Sequence, residues 1–464
     1  MSRRAVAIWL VLFAVYLTTI GLHAFGASDY GGDEPHYLLT AESIVQDGDF
    51  DVFDDYRDRE YREFYPYTLD PHGALTRGRL HEPHGIGFPL VIAPVYAIAG
   101  AKGVEVLMAA IAALAMALAY LLAVRVAPDP WALGAALAVG LSPPMLAYST
   151  AVYPELMAGA ALAGAALLAL GFGPWPPKRK AAACFLLLAL LPWLGPKFAL
   201  PGLVIAVYAF RAIRRAGRRW VALATLDIAG ISVAFYVGLN EGLYGGPTPY
   251  AANLGDASAT NASFPFGYVE RAYRLVAIFI DRGYGLLRWA PVLALALFGV
   301  WLLVRERRRA LARMIPEIQR EQSTAMLCAA VAGTQLLVAA FFAPTMFGFW
   351  FPGRHVMAAL PVAVPLVALG LRRAPRVGVV LAALTVAGSV WIYADLRLGD
   401  GSWVTGLPDA PFGPLDAVFP VFSKGSTLPF VVAGVIAAGV AALIALAARH
   451  SRNTAGTTRA RYSP

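Results

Sequence analysis

The sequence is divided by apolar runs too frequent for a soluble core and of the right length for a bilayer. Twelve of them lie at about 5–25, 103–124, 131–151, 154–173, 181–196, 198–213, 220–241, 284–304, 323–343, 355–371, 376–394 and 428–448. A helix rising ~1.5 Å per residue needs roughly 20 apolar residues to cross a hydrocarbon core. In that medium every backbone N–H and C=O must be satisfied within the segment, so the runs are expected as helices. Composition agrees. Hydrophobic residues make up 59% of the chain and charged ones 14%, against about half and a quarter in soluble domains. A soluble enzyme, a disordered chain and a fibrous repeat are excluded. The expected fold is an all-α polytopic membrane protein with about 12 transmembrane helices (11–13), one integrated domain over residues 1–464.

Charge sets the expected sidedness. With the N-terminus in the cytoplasm and the runs alternating, cytoplasmic segments hold 24 of the 38 basic residues but five of the 29 acids. They include Arg3, Arg4, Arg125, Lys178 to Lys180, the 211–219 and 305–320 clusters, and a short basic tail, 449–464. A surplus of Lys and Arg in short loops marks the cytoplasmic face. The basic runs are therefore topogenic, and the formal charge of +9 does not imply a nucleic-acid partner. Both termini are expected in the cytoplasm of a plasma-membrane protein. The first run follows Arg3 and Arg4 without a small-residue cleavage site, so it is expected as a retained anchor. The shorter apolar segment 87–100 is expected as a juxtamembrane or re-entrant element, because a crossing there would invert every later loop. Cys184 and Cys328, the two cysteines, lie in apolar runs and read as buried thiols, which excludes a disulfide framework.

Polar chemistry collects on the other side, in loops at about 26–102, 242–283 and 395–427. The first is expected to carry juxtamembrane helices. It contains Gly31-Gly32-Asp33-Glu34-Pro35-His36-Tyr37, followed by apolar positions at Tyr37, Leu38, Ala41, Ile44 and Val45 with helical spacing. Pro35 suits a first helical position, which makes Glu34 the expected N-cap and Asp33 the residue outside it. Such a helix is expected in the interface with its apolar face down. Asp33, at a glycine turn near the bilayer, is a candidate general base, because partial desolvation tunes a carboxylate. Glu34 beside it is expected chiefly as a helix cap. Glu155, after Tyr153-Pro154, is a second catalytic candidate, although an acid in a first helical turn is also favoured by the dipole. His81-Glu82-Pro83-His84 lacks the i, i+4 spacing of zinc proteases. No metal site is assigned from spacing, and loop hydrogen bonding is expected for these histidines.

Three cations stand apart from the topogenic set. Lys197 in Gly195-Pro196-Lys197-Phe198 and Arg354 in Pro352-Gly353-Arg354-His355 open helices, and Arg288 is expected about one turn inside the 284–304 span. A cation at a helix N-terminus is an anion site. One placed at a helix centre costs roughly 2.5–3.5 kcal/mol, so it carries a partner or a purpose. These three, with His355, His84 and Tyr37, are the candidate substrate-binding residues, suited to a phosphate headgroup.

The order of these features resembles the GT-C glycosyltransferases, in layout the protein O-mannosyltransferases and the lipid A aminoarabinose transferase. It comprises a first span, the acidic pair Asp33-Glu34 opening a juxtamembrane helix, the turn from His84 to Pro89, and Glu155 after the third span. The resemblance covers about the first 200 residues in order and the rest loosely. It implies transfer of a sugar from a polyprenyl-phosphate donor to a glycan, lipid or protein acceptor, on the extracytoplasmic face and usually with inversion. It assigns Asp33 to the family's first-loop aspartate, Glu34 to its neighbour and Glu155 to the second-loop acid. Some relatives need no metal, and a divalent cation between Asp33 and Glu155 is compatible with others. The alternative is a transporter or flippase for a lipid or solute. Transporters usually carry mid-membrane charges and internal repeats. Here Asp227 is the one acid arguably within a span, and no repeat is evident.

Overall fold

A computed structural model describes residues 2–253, 266–306, 316–399, 401–403, 418–422 and 427–439. The tail 449–464 and the sequon Asn261-Ala262-Ser263 lie outside the described residues. Helices α1 (Arg3–Leu17), α2 (Glu34–Gln46), α3 (Phe53–Asp58) and α4 (Gly87–Ala123) come first. They are followed by α5 (Trp131–Gly140), α6 (Pro143–Ser149), α7 (Glu155–Leu170), α8 (Lys178–Leu194), α9 (Ala199–Arg215) and α10 (Arg219–Tyr244). The second half holds α11 (Phe266–Glu270), α12 (Arg274–Ile280), α13 (Leu286–Trp289), α14 (Ala294–Glu306), α15 (Pro316–Leu337), α16 (Leu360–Arg373), α17 (Pro375–Leu398) and α18 (Leu428–Gly439). A two-residue hairpin, β1 (Leu75–Thr76) with β2 (Arg79–Leu80), pairs Leu75 with Leu80 in the first loop.

Each of the twelve apolar runs carries helix. Among the described residues six helices are long and apolar enough by themselves to cross a membrane, or seven if α5 and α6 form one span bent by 60°. The chain is thus an all-α, multi-pass membrane protein. The segment 87–100 is the first part of α4, ended at Gly100, whose φ of 60° and ψ of −161° break the helix before the run at 103–124.

Helix α16 lies at the centre, with every residue from Leu360 to Leu371 buried. It packs against α14, α4, α5 and α15. Small residues let the backbones close up, as between membrane helices generally. A Cβ on Gly299 would lie 2.4 Å from the Leu366 carbonyl oxygen, and one on Gly370 would lie 2.4 Å from that of Leu295.

Arg4 pairs with Asp129, Arg372 with Glu321, and Arg125 donates to the Leu170 carbonyl, all between segments assigned to the basic side. Two expectations are corrected. The run at 284–304 breaks at Ala290, so Arg288 sits in the separate short helix α13 and not inside a span. Helix α2 does not lie with one face on the membrane, since every residue from Glu34 to Ser43 is buried. It packs on α4, so its polar residues have protein partners and not headgroups.

Candidate active site

The start of α2 fixes the first carboxylate. Gly32 has φ 59°, in the left-handed region that favours glycine. A Cβ there would meet the Tyr153 hydroxyl at 2.6 Å and the Phe349 carbonyl oxygen at 2.9 Å. This turn brings the first loop against the α6–α7 connection. The helix begins one residue earlier than expected. Glu34 is its first residue, Pro35 its second, and Asp33 the cap position, with no side-chain capping bond. The Asp33 carboxylate is therefore free to face the opposite wall.

Glu34 belongs to the scaffold. Its oxygens accept the backbone N–H of Gly31 at 2.8 Å and of Val152 at 2.6 Å. It thereby ties its own turn to the segment before Glu155. Burial pushes its pKa up to about 8, against the pull of these two N–H groups. These two bonds and its absence from the cavity wall give Glu34 a positioning role in this structure.

Arg354 is the hub. Its Nη2 lies 2.6 Å from Asp33 Oδ2 and its Nε 3.2 Å from Glu155 Oε1. Lys197 Nζ lies 2.7 Å from the same Glu155 oxygen. The guanidinium carbon stacks 4.0 Å from the Tyr153 ring centroid and 4.9 Å from that of Trp350. Cation–π contacts of this kind strengthen where water is excluded, and Arg354 is only 4% exposed. Burial opposes charge on Asp33, but the Arg354 guanidinium holds its carboxyl well below the usual range. Four charges from four separate parts of the chain thus form one chain of pairs, with Arg354 and Glu155 buried and Asp33 and Lys197 partly exposed. Glu155 Oε2 has no hydrogen-bond partner among the described residues.

These groups line one cavity of about 400 Å³. Asp33, Tyr37, His84, Lys197, Arg354 and His355 are in its wall, as are Tyr250, Gln335, Trp350 and the apolar Val338, Ala339 and Phe342. Of the nine predicted site residues, six line the cavity directly, and Glu155 is paired with two of them. Arg288 is a correction. It donates to the Arg282 carbonyl and lies over its own Trp289 ring, and it is absent from the cavity wall. Between Asp33 and Glu155, where a divalent cation is compatible with the resemblance, the structure places the Arg354 guanidinium.

Beside Asp33 lies a histidine cluster. His84 Nδ1 is 3.9 Å from Asp33 Oδ2, and its Nε2 is 3.1 Å from His72 Nδ1. Burial lowers His84 to about 4, so it is neutral at physiological pH. Glu82, buried, accepts from the Tyr56 hydroxyl at 2.6 Å and lies 3.4 Å from His36 Nδ1.

Sequence reasoning missed Tyr153, Tyr250 and Gln335. A lone amide in an otherwise apolar run was a visible signal for Gln335. Tyr250, in a loop of glycine and proline, offered none.

No protein-family model matches the chain, and no curated protein matches it. Solved structures do. ArnT from Cupriavidus metallidurans in the apo state matches with TM-score 0.52 at 16% identity, over 92% of this chain and 74% of its own. The same protein bound to undecaprenyl phosphate matches with TM-score 0.47 at 16% identity, over the same shares. The archaeal oligosaccharyltransferase AglB from Archaeoglobus fulgidus, in complex with an inhibitory peptide and a dolichol-phosphate, matches with TM-score 0.45 at 15% identity, over 86% of this chain and 56% of its own. At this identity the likeness is one of fold: the chain shares its fold with ArnT.

Proposed function

We propose that the protein is a glycosyltransferase that moves a sugar from a polyprenyl-phosphate carrier to a hydroxyl acceptor on the extracytoplasmic face, with both termini cytoplasmic. The observation that carries this reading is the cavity wall itself. One carboxylate, two fixed cations and an apolar flank are what a lipid-linked phosphate donor and a hydroxyl acceptor require together. The GT-C fold supports the reading, and so does the charge asymmetry of the loops.

The chemistry follows from charge. The acceptor oxygen attacks the anomeric carbon, the bond from that carbon to the phosphate oxygen breaks, and the acceptor proton passes to Asp33. The leaving group is a prenyl phosphate carrying the released electron pair. Lys197 and Arg354 are preorganised donors for that charge, the contribution that usually dominates such steps. In the resting site Arg354 suppresses the basicity of Asp33. A donor phosphate competes for the same guanidinium and loosens that hold, so Asp33 becomes a useful base only when the donor is in place. Attack opposite the departing phosphate inverts the anomeric centre. Val338, Ala339 and Phe342 give the prenyl chain an apolar path from the cavity.

The test reconstitutes the protein in liposomes with a polyprenyl-phosphate hexose and candidate acceptors. Release of prenyl phosphate together with a glycosylated acceptor supports the proposal. Movement of intact donor or solute across the bilayer without cleavage favours a transporter instead.

A further inference from the structure

Outside the ion-paired wall, the first loop concentrates ring nitrogens in a way the transfer reaction does not use. His36, at the start of α2, and His72 and Glu82, flanking the β1–β2 hairpin, each offer one ligand atom, all within 4.8 Å of one another. His36 and Glu82 are 1% and 4% exposed, and the His36 and His72 rings lie 4.0 Å apart.

The protonation pattern leaves lone pairs turned inward. Tyr56 donates its hydroxyl proton to Glu82 Oε1 at 2.6 Å, so its oxygen accepts from His36 Nδ1 at 2.5 Å. This network assigns the His36 proton to Nδ1 and leaves Nε2 with its lone pair. A metal-bound histidine has this arrangement, with its other ring nitrogen donating to a second-shell oxygen. The second Glu82 oxygen, Oε2, is buried with no hydrogen-bond partner among the described residues. A buried carboxylate oxygen without a donor is costly unless a cation satisfies it. His84 Nε2 lies 3.7 Å from this oxygen.

We propose that His36, His72 and Glu82 form a binding site for a divalent transition metal, clipping the hairpin of the first loop to the start of α2. Two imidazoles and one carboxylate suit Zn²⁺ or Co²⁺ and disfavour Mg²⁺ and Ca²⁺, which take all-oxygen shells. Ligand atoms within 4.8 Å of one another can draw in around one small ion with bonds of about 2.0–2.2 Å. The site is distinct from the Arg354 pairs and stands or falls without the transferase reading.

The test uses the full-length protein in detergent, stripped with chelator and then given Zn²⁺ or Co²⁺. Expected are one bound ion per chain by elemental analysis, a higher thermal midpoint, and a Co²⁺ visible spectrum of low coordination number. His72→Ala, at the exposed member of the set, is expected to weaken binding at least tenfold while leaving the metal-free midpoint close to wild type. Glu82→Gln is the second variant. His81→Ala removes a histidine bonded instead to the Phe50 carbonyl and is expected to keep the ion, as is Asp33→Asn. Absence of any bound ion overturns the proposal, as does equal retention by His72→Ala and wild type. Loss of the ion in Asp33→Asn also overturns it, since the ligand set would then be Asp33, His72 and His84.

Discussion

Arg354 and Asp33 stand 321 residues apart in the chain, yet the guanidinium Nη2 lies 2.6 Å from the carboxylate Oδ2. The pair joins the first loop to the 3-10 turn Arg354–Ala359 that leads into α16, where Leu360 to Leu371 are all buried. Because Arg354 also reaches Glu155, one side chain sets the charge state of both walls.

Replacing Arg354 separates charge from geometry. Arg354→Lys keeps the charge but cannot span Asp33 and Glu155 in one plane. Turnover is expected to fall about 100-fold, in line with loss of one preorganised donor. Arg354→Gln leaves Asp33 without its cation and Glu155 with Lys197 alone. A stability loss of about 3–5 kcal/mol is expected, the usual cost of breaking a buried pair. Thermal unfolding in detergent reads it.

Glu34 and Asp33 are neighbours with opposite duties. Glu34→Gln replaces an accepting oxygen with an amide that points a donor at a backbone N–H. A loss of about 1–3 kcal/mol is expected from the unpaired buried groups, with turnover per folded molecule largely kept. If Glu34→Gln instead abolishes turnover without loss of stability, the scaffold role assigned to it is wrong.

Gly32 holds the turn that aims Asp33. In Gly32→Ala a Cβ meets the Phe349 carbonyl oxygen at 2.9 Å, and its backbone sits at positive φ. A loss of about 1–3 kcal/mol is expected, with a lower turnover rate because Asp33 moves relative to Arg354. Gly78, also at positive φ but with nothing near its Cβ position, is the control. Gly78→Ala is expected to carry the smaller backbone penalty and leave turnover unchanged.

The pH dependence has a defined sign at His84. Burial puts its folded pKa near 4, below the ordinary ~6.5 of the unfolded chain. Its contribution is complete above about 6.5 and is lost as pH falls toward 4, where the unfolded state binds the proton first. Glu34 and Asp55, both pushed up to about 8 by burial, titrate in the opposite sense. The quantity to measure is therefore the wild-type stability minus that of His84→Gln. It is expected to shrink by on the order of 2 kcal/mol between pH 7 and pH 4.5. A flat difference would place His84 in solvent.

Much of this architecture was legible in the chain because lipid imposes a simple code. Each apolar run carries helix, while the short helices α3, α11 and α12 in the polar loops had no such signal. Asp33, Lys197 and Arg354 stood out because a charge beside hydrocarbon demands a partner. What escaped is tertiary. The apolar pattern of α2 described one amphipathic face, but packing on α4 and the loop covers the others too. Arg288 had the same credentials as Arg354, and only the break at Ala290 sends it to the Arg282 carbonyl. The histidines gave no spacing signal because His36, on α2, meets His72 and Glu82 only through the fold.

The central claim is that Asp33, released from Arg354 by a lipid phosphate, takes the acceptor proton. The most direct measurement is single-turnover release of prenyl phosphate from a polyprenyl-phosphate sugar, by wild type and by Asp33→Asn with a matching thermal midpoint. The expected result is release by wild type and a reduction of at least about 100-fold in Asp33→Asn, with donor binding retained. Release at an undiminished rate by Asp33→Asn would contradict the account.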